Sequence, residues 1–448
     1  MRRRLVVVLA VAAMGMAAGA YGLTEARSSP DGAVELPETS STAPSSTTTA
    51  VPPPETEPDC SPDRTLLEQA VTAPADLAAA RDAFLRDPRI APHSVSLSVW
   101  IDGYGEVLVH QPGLALAPAS NQKLYTAIGA LAVIGPDARL VTDVRLGPGG
   151  DLTIVGGGDA TLTRRGPHSV AAMAEQVRAA GVTRVAGALL VDESRHDGAR
   201  RANGWQDWQL PAHTGPMSAF MVDDNRWRVD PAFVADPAVA NAELLRQELG
   251  ARGIAVDGPT REAPGGSGRV VATLPSAPVA ELVATMLRTS DNQIADLLLK
   301  EVAVAAGGVG SAAGAATVVD AALAPLCLTL SGVVDDGSGL SRTNARSARE
   351  WRVLLQAARD QPWWQRLHDG LPLAARSGTL ASRFAGTAAA GNVRAKTGTI
   401  IGGTALSGYG TTSGGRAFVF SAVVNGPGSQ AGAGAIDGLV AAIAAHPD

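Results

Sequence analysis

Lysine is nearly missing from this chain. Of 37 basic residues among 448, only Lys123, Lys300 and Lys396 are lysine, and the rest are arginine. Arginine serves most surface roles as well as lysine does, so a retained lysine marks a place where a compact, titratable amine is wanted. Cysteine is scarce too, with only Cys60 and Cys327, which excludes a cysteine-rich scaffold. The seven histidines are scattered without ligand-like pairing, so no metal is expected. No block of basic residues interleaves with aromatics, and the formal net charge is -6, so no nucleic-acid partner is expected. No G-x-S-x-G elbow occurs, which argues against an α/β-hydrolase triad. "VGGGDA" (residues 155–160) follows a strand-like run, but its spacing misses the dinucleotide fingerprint, so it reads as a turn and no cofactor is expected.

What is present begins with an export pattern. Arg2, Arg3 and Arg4 precede an apolar run reaching about Leu23, and Ala18-Gly19-Ala20 offers small residues for cleavage. The run (1–23) reads either as a cleaved signal or as an uncleaved membrane anchor. In both readings the rest of the chain works outside the cytoplasm, on the outer side of the cytoplasmic membrane, in the cell wall or secreted. Residues 24–62, with "ETSSTAPSSTTTAVPPPETEP", lack apolar periodicity and read as a tether. In an exported chain Cys60 and Cys327 can pair. Alternatively Cys327 is simply buried in "APLCLTL".

A chain of this length exceeds one core, so more than one domain is expected. "SVSLSVWI" (94–101) alternates as a strand does, and "EVLVHQ" (106–111) returns across Asp102-Gly103 as a hairpin. "ALSGYG" (405–410) and "RAFVFSAVVNG" (416–426) read as strands, and "GAIDGLVAAIAAH" (434–446) as an amphipathic helix. First and last segments therefore belong to one sheet. From about Leu140 short strands and turn residues dominate, with a helix pattern over 169–180 and a strand over 188–192. The expected organisation is a host domain in two parts, 63–142 and 273–448, interrupted by an α/β insert at 143–272. The fold class is α+β, an antiparallel sheet flanked by helices.

Ser120 stands three residues before Lys123. Leu124, Ala127, Ile128 and Leu131 carry a helical period, so a buried helix is predicted from Pro118 or Ala119. Residues three apart share a helix face, so Oγ and Nζ meet. Ser290-Asp291-Asn292 precedes the helical run "QIADLLLK" and reads as an N-cap. Lys396-Thr397-Gly398-Thr399 lies in "VRAKTGTII", a strand-like run whose Gly398 admits another backbone. A cation and a hydroxyl there suit a substrate carboxylate.

S-x-x-K, S-D-N and K-T-G in this order are together the signature of penicillin-binding proteins and class A β-lactamases. "GDLTIVGGGDATLT", "LVDESRHDG", "MSAFMVDDN", "DDGSGLSR" and "ARSGTLASRF" add to it. On these stretches the chain resembles the class C low-molecular-mass penicillin-binding proteins, D-alanyl-D-alanine carboxypeptidase/endopeptidases, over roughly 65–448. It departs from them in spacing, since the 170 residues between Ser120 and Ser290 are few for the family.

The resemblance implies a transpeptidase/β-lactamase-like fold. It also implies peptidoglycan stem peptides ending in D-Ala-D-Ala as substrates and β-lactam antibiotics as acylating ligands. It further implies Ser120 as nucleophile, Lys123 as its base, Ser290 as proton relay, Asn292 as a holder of the acyl side chain, and Lys396 and Thr397 as carboxylate binders. The oxyanion hole falls to the Ser120 and Thr399 amides. A β-lactamase on the same framework and a non-catalytic cell-wall or β-lactam sensor stand as alternatives. Against the first, "AAGGVGSAAGAATVVDAALAPLCLTLSG" holds no glutamate to deacylate.

Overall fold

The structure is a computed structural model and describes residues 71–228, 230–326, 328 and 330–447. The expected export segment, the tether, and the Cys60–Cys327 question lie outside the described residues. Among those described, no helix is long and apolar enough to cross a membrane.

Strand Ser94–Ile101 forms because its residues alternate between two buried environments. Val95, Leu97, Val99 and Ile101 face a core completed by the terminal helices Ala75–Arg86 and Ala433–Ala444, through Leu77, Phe84, Ile436, Val440 and Ile443. Ser96 and Ser98 face the other way. The strand centres an antiparallel five-stranded sheet ordered 394–400, 403–411, 417–425, 94–101, 105–110. The first and last strands among the described residues thus meet in one sheet, as their alternation predicts. On its second face the sheet meets helices Gln122–Gly129, Asn292–Ala305 and Ala348–Ala358, through Leu124, Leu298, Trp351 and Leu355 packed against Ala405, Val419 and Val423.

A polar seam crosses this second face. Lys396 pairs in register with Ser407, Ser407 with Ser421, and Ser421 with Ser98. Ser407 Oγ donates to Ser421 Oγ at 2.8 Å, and Asn121 Nδ2 donates to Ser407 Oγ at 2.6 Å. At the far edge Ser98 Oγ donates to Glu106 Oε1 at 2.7 Å, and Glu106 is paired with Arg349 and Arg352. Glu106 and Arg352 are wholly buried, so each needs the other to be tolerated there. The seam ties the turn at residue 120 to the sheet by directional bonds rather than by oily contact alone.

A second, mixed sheet is ordered 269–278, 139–146, 152–155, 189–192, 260–262. Val144, Ile154, Leu189 and Val191 pack against helices Val170–Ala179 and Pro237–Ala251 through Met173, Val177, Leu245 and Leu249. Ser169 caps the first of these helices, its side chain accepting from Ala172 N–H.

Candidate active site

Three segments converge on one buried point. The first is the turn before helix Gln122–Gly129. Residues Ala119–Asn121 form a single 3₁₀ turn, the α-helix follows, and one π turn, Ala130–Ile134, closes it. The helix thus starts where its apolar period predicts, but both ends depart from α geometry. Ala119 holds φ +50°, a left-handed conformation that a non-glycine residue adopts only when its surroundings impose it. Those surroundings are a side-chain amide and a close backbone. The Asn425 side-chain amide pairs with Ala117 N–H and C=O at 2.8 and 3.0 Å. Gly339, itself at φ +81°, lies so close that a Cβ there would sit 1.9 Å from the Ala119 carbonyl oxygen.

The second segment is the S-D-N triplet. Asp291 caps helix Asn292–Ala305, accepting from Ile294 N–H at 2.9 Å, as the sequence predicts. Ser290 ends helix Val279–Thr289 in the left-handed conformation at φ 61°. The reversal between the two helices presents Ser290 and Asn292 to the same space. The third segment is edge strand Arg394–Ile400, carrying Lys396, Thr397, Gly398 and Thr399. Gly398 sets its approach: a Cβ there would lie 2.7 Å from the Pro118 carbonyl oxygen and 3.2 Å from the Ala119 Cβ.

The polar groups then meet. Lys123 Nζ, fully buried, donates to Ser120 Oγ at 3.1 Å, Asn292 Oδ1 at 2.7 Å and the Ser338 carbonyl at 2.6 Å. All three ammonium donors are used. Lys396 Nζ, equally buried, donates to Ser290 Oγ at 3.0 Å and to the Thr397 carbonyl at 2.8 Å. Thr397 Oγ1 donates to Thr379 Oγ1 at 2.9 Å, and Asn292 Nδ2 donates to the His213 carbonyl at 2.8 Å.

Burial disfavours both ammonium ions. It brings the Lys123 amine down to about 8, against the opposing pull of Asp296, Asp336 and Asp291. Burial, reinforced by the charge of Lys123, holds Lys396 well below the ordinary lysine range. The three carboxylates hold the Lys123 ammonium up, and burial outweighs them. An amine near 8 is partly neutral at physiological pH. Once neutral, Nζ accepts a hydrogen bond from the Ser120 hydroxyl across the same 3.1 Å.

The profile of the D-Ala-D-Ala carboxypeptidase 3 (S13) family matches residues 77–233 and 231–446. The chain belongs to that family. It is 35% identical over 349 residues to a carboxypeptidase of Mycobacterium tuberculosis, covering 72% of this chain and 74% of the relative. It is 31% identical over 417 residues to a D-alanyl-D-alanine carboxypeptidase of an Actinomadura species, covering 73% and 77%. Among solved structures, penicillin binding protein 4 of Haemophilus influenzae shares the fold. That match has TM-score 0.69 and 20% identity, covering 77% of this chain and 93% of the other.

The structure bonds Ser120 and Asn292 to Lys123 in one group and Ser290 and Thr397 to Lys396 in a second, while Gly398 serves by having no side chain. It also shows polar residues that motif reading left without a role. Thr379, in "ARSGTLASRF", extends the hydroxyl row beside Thr397. Ser338, in "DDGSGLSR", supplies a carbonyl to Lys123. Asp336 holds that loop by accepting from Trp205 Nε1, Gly339 N–H, Ser341 N–H and Asn344 Nδ2. In sequence the "DDGSGLSR" stretch carried only a family likeness, and nothing in it told which chain element it would meet.

Proposed function

We propose that the protein is an exported serine D-alanyl-D-alanine carboxypeptidase that trims peptidoglycan stem peptides and is acylated by β-lactams. The observation that carries this reading is Lys123 Nζ at 3.1 Å from Ser120 Oγ, with a second buried lysine, Lys396, bonded to Ser290. In the proposed reaction Ser120 Oγ attacks the carbonyl of the penultimate D-Ala while its proton passes to neutral Lys123. The Ser120 and Thr399 amides would receive the developing oxyanion. The C–N bond breaks, and Ser290 passes a proton to the departing D-Ala amine. Asn292 holds the acyl side chain. Water then hydrolyses the ester and Ser120 regains its proton. Lys396 and Thr397 bind the terminal carboxylate, which separates a free stem end from an internal peptide. Two of the three Lys396 donors have partners among the described residues, so one is left for that carboxylate. Cleavage of cross-links between stems is a second outcome of the same chemistry. Export rests on the arginines and apolar run at residues 2–23.

The test is release of D-Ala from a peptide ending in D-Ala-D-Ala by the purified protein, run beside a chromogenic cephalosporin. D-Ala release that is lost in Ser120→Ala supports the reading. Cephalosporin turnover without D-Ala release would instead make the protein a β-lactamase. Neither activity would leave a non-catalytic binder.

A further inference from the structure

One buried carboxylate beside this site is half-used. Asp296 lies on helix Asn292–Ala305, one turn after Asn292, and is 3% exposed. Its Oδ1 accepts from Gly337 and Ser338 N–H, both at 2.9 Å. Those bonds hold the two peptides that precede the Ser338 carbonyl, which accepts from Lys123 Nζ at 2.6 Å. Gly337 packs so closely on this helix that a Cβ would sit 2.4 Å from the Ala295 carbonyl oxygen, so the loop has little freedom to move. Asp296 Oδ2, by contrast, is buried with no hydrogen-bond partner. Asp296 borders a cavity of about 290 Å³ behind the loop. A buried carboxylate oxygen left unpaired is costly and calls for an explanation. Neighbouring Asp336, by contrast, accepts four hydrogen bonds.

We propose that Asp296 is a positioning residue for Lys123: Oδ1 aims the Ser338 carbonyl at Nζ, and the charge of the carboxylate sets the pH at which Nζ becomes a base. This rests on the reading of Ser120 and Lys123 given above. The charged groups around Asp296 come from four elements. Lys123 is on the nucleophile's helix, and Asp291 and Lys300 are on its own helix. Asp335 and Asp336 are on the glycine loop, and Asp197 and Arg201 are on the far cavity wall. Lys300 is bonded to Asp197 and to the Ala199 carbonyl, so it does not satisfy Asp296. Burial and Asp336 raise the Asp296 carboxyl, and Lys123 opposes them, which makes its charge responsive to the site. The sign is fixed: a negative charge near Nζ favours the ammonium, so removing it lowers the Lys123 pKa and frees the amine at lower pH.

The experiment measures the rate of acylation by a fluorescent penicillin against pH, in the full chain and two variants checked by thermal melts. Wild type should show an acidic limb near 8, where Lys123 loses its proton. Asp296→Asn keeps an oxygen for both amides and removes the charge. Its limb should move to lower pH by roughly one unit with the plateau unchanged. Asp296→Glu keeps the charge and displaces the clamp, so its limb should stay and its plateau fall. A limb in Asp296→Asn that superimposes on wild type overturns the inference, as does a shifted limb in Asp296→Glu with an intact plateau. Should either variant fail to fold, the other still decides. Wild type without an adduct on Ser120 would instead overturn the reading of the site itself.

Discussion

Gly398→Ala adds one methyl group at the contact between the edge strand and the turn that carries Ser120. The new Cβ would sit 2.7 Å from the Pro118 carbonyl oxygen, 3.1 Å from the Ala405 Cβ and 3.2 Å from the Ala119 Cβ. The closest neighbour is backbone and cannot rotate away, so strand and turn must separate by about 0.7 Å to reach ordinary contact. That movement carries Lys396 and Thr399 away from Ser120. A displacement approaching 1 Å costs about 10²-fold in a positioned reaction. The acylation rate and kcat/KM should therefore fall roughly 10- to 100-fold. Overpacking costs about 1–3 kcal/mol, which lowers Tm while leaving the fold intact. The assay is stopped-flow acylation by a fluorescent penicillin, paired with a thermal melt. A variant that acylates at the wild-type rate, whatever its Tm, would refute the reasoning, because the strand's approach would then not place the reacting groups.

Two further outcomes follow from single contacts. Lys396→Ala should lower kcat/KM on a peptide ending in D-Ala-D-Ala by about 1.5–3 kcal/mol, roughly 10- to 150-fold, and cost less on the terminal amide. Equal losses on both substrates would show that Lys396 does not read the carboxylate. Glu106→Ala leaves wholly buried Arg352 and half-buried Arg349 without their carboxylate, and should destabilise the protein by about 3–5 kcal/mol in denaturant titration. An unchanged midpoint would contradict the seam's structural role.

The sheet was legible wherever one face meets a core. Ser94–Ile101 alternates and is a strand over those residues, and the final helix, expected over 434–446, spans Ala433–Ala444. Ser120 and Lys123 meet because three residues on one helix face are neighbours in any fold. Asp291 caps because a short acceptor before an apolar helical run has that local use. Other parts were not legible because tertiary contacts decide them. Ser338, Asp336 and Thr379 lie in turns without periodicity, and only tertiary packing brings them Lys123, Trp205 and Thr397 as partners. Asp296 reads in sequence as one more polar residue in a helix, yet all of residues 293–303 are buried, so burial and not helical period determines its chemistry. The left-handed conformations of Ala119 and Ser290 have no residue-level signal, because neither is glycine or asparagine.

The central claim is that D-Ala release and penicillin binding share Ser120. It is tested most directly by titrating the protein with penicillin and following two quantities in each sample. One is the fraction of the peptide containing Ala119–Lys123 that carries the penicilloyl mass, and the other is the rate of D-Ala release from a D-Ala-D-Ala peptide. The account requires the rate to fall linearly with modification of Ser120 and to vanish at full occupancy. Activity that survives complete modification of Ser120, or an adduct on any other peptide, would contradict it.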